Sequence, residues 1–108
     1  MKKLKNTKPS QKNKQRDIAT VRRQVVPILK QHDIKRAALF GSFARGEQTR
    51  KSDLDVLVEF RGSKSLLDLV ALKLALEDKT GRKVDVLTYR ALHPALRGRV
   101  LSEQVVLL

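Results

Sequence analysis

Residues 53–60 read "DLDVLVEF", and no other stretch constrains the fold as much. Leu54, Val56, Val58 and Phe60 alternate with Asp53, Asp55, Leu57 and Glu59. Successive side chains of a strand point to opposite faces, so the first set forms one face and the second sets two aspartates side by side on the other. Residues 82–89, "RKVDVLTY", repeat the pattern, with Val84, Val86 and Thr88 facing one way and Asp85, Leu87 and Tyr89 the other. Between the two runs lies a strongly apolar segment from 66 to about 78. Ser65 with Asp68 resembles a capping box that opens it as a helix, and Gly81 suits its stop.

The remaining elements fall around this centre. From 17 to about 32, Ile18, Val21, Val25 and Ile28/Leu29 have helical spacing, with Asp17 as N-cap. Pro27 removes the bond to the Arg23 carbonyl, which predicts a kink or a two-part helix. "RAALF" (36–40) reads as a short buried strand, Gly41-Ser42 as a tight turn, and "FARG" as one helical turn before the polar loop 47–52. Pro94 opens a last helix that runs to about Glu103, and "QVVLL" forms a short edge strand. The order α-β-(turn)-β-α-β-α-β, without internal repeat, predicts an α/β (α+β) domain with a mixed sheet and helices packed on one face.

Charge divides the chain. Residues 1–16 hold seven basic and no acidic residues and lack periodicity, so they read as a basic, disordered tail. Residues 17–108 form the folded domain, with a net charge of +6 out of the total +13. A body of this size buries only about 60–65% of its unfolded surface, so a partner would add stability. There are no cysteines, hence no disulfides or thiolate metal sites. No stretch has the length or purity of a membrane span, and a cytoplasmic location is the default expectation.

The chemistry lies in the aspartates. At i, i+2 on one strand, Asp53 and Asp55 hold their Cα atoms about 6–7 Å apart. Two such carboxylates repel, and a divalent cation with a taste for oxygen, such as magnesium, resolves the conflict. Asp85 is a third carboxylate inside an apolar alternating run. Three carboxylates converging from neighbouring strands can hold two metals about 3.5–4 Å apart, the clamp for in-line nucleotidyl transfer. Gly41-Ser42, after a strand and before a helical turn, offers a close backbone approach, a hydroxyl and N–H groups to a polyphosphate. Gly-Ser alone is a weak signal. With D-x-D ten residues later and a third aspartate on a strand, it becomes specific.

"GSFARGEQTRKSDLDVLVEF" (41–60), followed by "VDVL", resembles the polymerase-β-like nucleotidyltransferases, in particular their minimal, single-domain branch. In prokaryotes that branch is similar to the antitoxin partners of small helical HEPN-type RNase toxins. The resemblance covers about residues 17–108. It implies that Gly41 and Ser42 engage the triphosphate of ATP, that Asp53 and Asp55 ligate two magnesium ions, and that Asp85 ligates the ion activating the acceptor. Arg45, in the "ARG" segment, would contact phosphate. The implied activity is AMP transfer from ATP to a protein hydroxyl, a tyrosine of the cognate toxin. Length agrees, because about 92 residues leave no second domain to bind an acceptor.

Other readings were weighed. A haloacid-dehalogenase-like phosphatase also uses D-x-D, but there the pair ends a hydrophobic strand, whereas here "QTRKS" precedes it. A glycosidase pair would leave Gly41-Ser42 unexplained. His32 and His93 have no neighbours at ligand spacing, which favours surface or capping roles. The tail can attract nucleic acid electrostatically but carries no aromatic for stacking, so that role is not favoured. The alternative to catalysis is a binding module: an antitoxin that occludes its partner, or a small basic nucleic-acid binder. The three aspartates favour catalysis.

Overall fold

The computed structural model describes residues 11–45 and 53–108, with side chains from Asp17 onward except those of Ser42 and Phe43. Four strands form one sheet in the order β3-β2-β1-β4. They are β1 (Ile34–Phe40), β2 (Leu54–Phe60), β3 (Val84–Thr88) and β4 (Val105–Val106). β1 pairs antiparallel with both β2 and β4, while β2 and β3 run parallel. A parallel pair needs a crossover, and α3 (Leu66–Thr80) supplies it.

α3 starts and stops where its sequence dictates. Ser65 Oγ accepts from the Asp68 N–H at 3.4 Å, and Asp68 Oδ2 accepts from the Ser65 N–H at 2.8 Å, closing the capping box. These bonds hold the exposed Asp68 carboxyl below its usual range. At the other end Gly81 adopts the left-handed conformation, φ 68°, and donates to the Glu77 carbonyl. The Glu77 carboxylate takes the Lys73 ammonium at 3.1 Å and the Val84 N–H at 3.0 Å, tying the helix to the start of β3. Both bonds favour its ionised form and lower its pKa.

The core lies between one sheet face and the helices α1 (Gln11–Gln31) and α3. Val21, Val25 and Leu29 of α1 and Leu72 and Leu76 of α3 meet Leu54, Val56, Val58 and Val84 of the sheet. These are the apolar faces the alternation predicts. Arg22 also ties α1 to the edge, its Nη1 donating to the Val106 carbonyl at 3.0 Å.

The start of α1 differs from expectation. α1 begins at Gln11, not at Asp17, so its backbone takes in six residues expected in the tail, and Asp17 lies inside the helix and does not cap it. Polar residues gave no periodicity to announce that first turn and a half. Pro27 sits within α1 without splitting it into two elements. The second sheet face has buried residues of its own: Ala38 and Leu57, cross-strand partners on that face, are fully buried, and so nearly is Leu92. A 3-10 turn, Tyr89–Ala91, lies against β2 on the way to α4 (Pro94–Glu103).

α4 follows its predicted start, with Pro94 in the first turn and His93 as N-cap, its Nδ1 accepting from the Ala95 N–H at 3.0 Å. It contains no buried residue. α3 likewise leaves apolar side chains in solvent: Leu66 and Leu67 are about three-quarters exposed, with Val70 and Leu74 continuing the stripe. No described helix is long and apolar enough to cross a membrane.

Candidate active site

The site grows from strand register. Phe40, Asp55 and Asp85 occupy directly opposite positions on β1, β2 and β3, so their side chains stand in one row on the face turned away from the core. Asp53 precedes β2 by one residue and adds its charge to the row. The Asp55 pKa is raised, first by partial burial, then by the charges of Asp85 and Asp53, and by a side-chain hydrogen bond with Asp85. The Arg45 guanidinium works the other way and lowers it. Arg45 closes the short helix α2 (Ser42–Arg45), its N–H donating to the Gly41 carbonyl at 3.1 Å. Asp53, Asp55, Asp85 and Arg45 are therefore brought together.

Gly41 is required twice over. Its φ is 73°, a region that side-chain-bearing residues rarely adopt, and a Cβ there would collide with Asp55 Oδ2. The turn after β1 is thus pressed against the central carboxylate. Ser42 follows it in the backbone of α2; its hydroxyl lies outside the described atoms, and the expected polar loop 47–52 lies outside the described residues.

Beside the carboxylates a cavity of about 420 Å³ wraps the edge strand β3, bounded by Phe40, Asp55, Asp85 and Leu87 and, from α3, by Val70 and Lys73. It is mostly apolar, with two carboxylates and the Lys73 side chain in its lining, the Lys73 ammonium being held by Glu77. Sequence reading missed Phe40, Val70 and Lys73. Lys73 had a signal, being the single cation within the apolar run 66–76. Phe40 and Val70 had none, because register and crossover bring them there.

The donor chemistry fits magnesium, since every candidate ligand is a carboxylate oxygen and the acidic charges crowd together, opposed by the Arg45 guanidinium. Among the described residues, however, no three acidic, His or Cys side chains form a ready-made cage. Magnesium is commonly held by one or two carboxylates plus substrate phosphates, so an incomplete protein cage suits a nucleotide-dependent site.

The chain has relatives of known family. Residues 22–107 match the nucleotidyltransferase domain. A Methanocaldococcus jannaschii protein named as a protein adenylyltransferase is 54% identical over 89 residues, covering 82% of this chain and 96% of its own. A solved minimal nucleotidyltransferase is 42% identical, with a TM-score of 0.73 over 83% of this chain and 92% of that one. The antitoxin complexed with a tri-AMPylated HEPN toxin from Shewanella oneidensis shares the fold, with a TM-score of 0.66 at 17% identity over 83% of this chain and 71% of that one. A row of strand-borne carboxylates behind a Gly-Ser turn, in a chain this similar to those proteins, makes it a member of the nucleotidyltransferase-domain family, in its minimal branch.

Proposed function

We propose that this nucleotidyltransferase moves AMP from ATP to a tyrosine hydroxyl of a small helical HEPN-type toxin and so acts as its antitoxin. The observation that carries the reading is the in-register Asp55–Asp85 pair with Gly41 pressed against it. A triphosphate can approach the backbone only where no side chain intervenes, and the turn delivers it to the carboxylates. The nucleotide chemistry and the toxin partner are those of the Shewanella complex.

In this reading Asp53 and Asp55 would hold two magnesium ions, and Asp85 would help to hold the one that activates the acceptor. When bound, magnesium supplies neutralisation of the triphosphate charge and acidifies the attacking hydroxyl. The chain's own part is positioning. Gly41 and Ser42 receive the phosphates and Arg45 adds a positive charge beside them. The apolar cavity between Phe40, Leu87 and Val70 takes the base or the acceptor ring. Asp55 must be ionised to work, and a bound cation would oppose the rise in its pKa that burial and the neighbouring carboxylates cause.

The acceptor reaches the site on its own folded surface. The exposed stripe Leu66, Leu67, Val70 and Leu74 joins the cavity through Val70, which suits docking of a protein beside the carboxylates. Intact-mass spectrometry of the co-expressed pair tests the proposal. The partner, and not this chain, should gain one or more units of about 329 Da, the mass of a phosphoryl-linked AMP. A partner that is inhibited yet unmodified would replace transfer with occlusion.

A further inference from the structure

A second cleft, about 820 Å³, lies toward the other end of the sheet. From Asp55 to Glu59 is about 13 Å along β2. Six cations line it: Lys35, Arg36, Arg61, Lys64, Arg90 and Arg97. They come from the start of β1, the loop after β2, the 3-10 turn and α4, and the single acidic side chain among them is Glu59.

Glu59 is already engaged. It holds Arg36 at 2.9 Å and Lys35 at 3.8 Å. Lys64 is paired with Asp33 at 3.1 Å. Arg61, Arg90 and Arg97 are exposed, and among the described residues their side chains make no ion pair or hydrogen bond. Three uncompensated guanidinium groups thus rim one concavity. Its wall also carries a flat platform. The Arg36 guanidinium lies 4.0 Å from the centroid of the Tyr89 ring, and the Tyr89 hydroxyl reaches Gln104 Oε1 at 3.4 Å. Planar cations, an aromatic ring and a concave basic track are what a single strand needs, phosphates on the rim and bases against flat groups. An acidic protein surface fits less well, because protein interfaces are depleted of charge at their centres and this cleft is charged throughout.

We infer that this cleft binds single-stranded nucleic acid through its phosphates, at a site separate from the carboxylate row. The inference stands whether or not the transfer reading does. Arg61, Arg90 and Arg97 supply the contacts, and Arg36 on Tyr89 supplies the platform. Each neutralised phosphate releases counterions, so binding must weaken steeply with salt.

The test is fluorescence anisotropy of a short fluorescein-labelled oligo(U), with oligo(dT) and a poly-glutamate peptide as parallel arms, against the full chain in rising salt. The variant Arg61→Gln/Arg90→Gln/Arg97→Gln is compared with Arg23→Gln/Lys30→Gln/Lys79→Gln, which removes the same charge from α1 and α3. From about 50 mM salt upward the cleft variant should lose at least tenfold in affinity for oligo(U). Its log–log salt slope should become shallower by about 2, from about 0.7 per lost contact. The helix-surface variant should change by less than about threefold. Equal losses in the two variants would assign binding to the overall charge and overturn the site. So would a wild-type chain that binds poly-glutamate and neither oligonucleotide, or one that binds none of the three.

Discussion

Along one sheet, like charges gather at two places and are tolerated in opposite ways. At one end Asp55 and Asp85 are placed by backbone register, Asp55 partly buried and Asp85 exposed, and close enough to share a hydrogen bond. Towards the other, Arg61, Arg90 and Arg97 sit on a loop, a turn and an exposed helix, each free to swing into solvent. Repulsion between long exposed side chains costs little, because water and salt screen it. Repulsion between strand-borne carboxylates cannot be relieved by motion. It is relieved by a proton or by a cation. The acidic row is therefore rigid and costly to fold, which suits the catalytic role proposed for it, while the basic cleft is cheap and adaptable.

The strongest way to break this contrast is to neutralise the row. Asp55→Asn and Asp85→Asn should each lower AMP transfer by about 10³-fold or more, since loss of one electrostatic stabiliser typically costs that much. Oligonucleotide affinity should stay within about twofold of wild type. A transfer assay in magnesium beside the anisotropy titration reads both. Retained transfer in either variant would remove that residue from the site.

Next comes the turn that presses on the row. In Gly41→Ala the added Cβ meets Asp55 Oδ2 at a positive φ. The backbone strain alone should cost about 1–3 kcal/mol in a urea melt. Transfer should fall by about a hundredfold, as expected when reacting groups are displaced by an ångström or so. Unchanged stability would mean that the turn has room to relax.

A subtler probe is pH. The folded chain raises the Asp55 pKa, so it holds that proton more tightly than the unfolded chain does. The resulting contribution is fully present below the unfolded value, about 3.9, and is lost as pH rises through the folded value. In EDTA, Asp55→Asn should therefore gain stability over wild type as pH climbs through this window, and magnesium should narrow the gap at neutral pH. Parallel melting curves across the range would argue against crowding.

The smallest expected effect separates both ends from the scaffold. Ser65→Ala removes the N-cap of α3 and should cost about 1 kcal/mol by chemical denaturation, leaving transfer chemistry and oligonucleotide binding nearly unaltered. A large loss of activity would show that the pitch of α3 sets the cavity.

How legible this was in the residues depended on whether a signal is local. Period-two alternation fixed which side of β2 and β3 carries Asp55 and Asp85, and the Ser65–Asp68 and Gly81 signals bounded α3, because each is a property of neighbouring residues. The start of α1 was illegible, since Gln11 to Arg16 offer no apolar spacing. Phe40 became a neighbour of Asp55 only through the antiparallel register of β1. The basic cleft was invisible for a similar reason: its cations are drawn from positions 35 to 97, and in one dimension they look like ordinary surface charge.

α4 carries a consequence for motion. A ten-residue helix with no buried side chain is marginal in water by itself, and it holds through its His93 cap and through β4, which it delivers to Ala38 and Leu39. Its amides should exchange with deuterium through a sub-global opening well below the free energy that protects β1 and β2. Because Arg97 rides on that segment, each opening swings one wall of the basic cleft away, and a strand seated there should slow exchange in α4 before it slows exchange anywhere else.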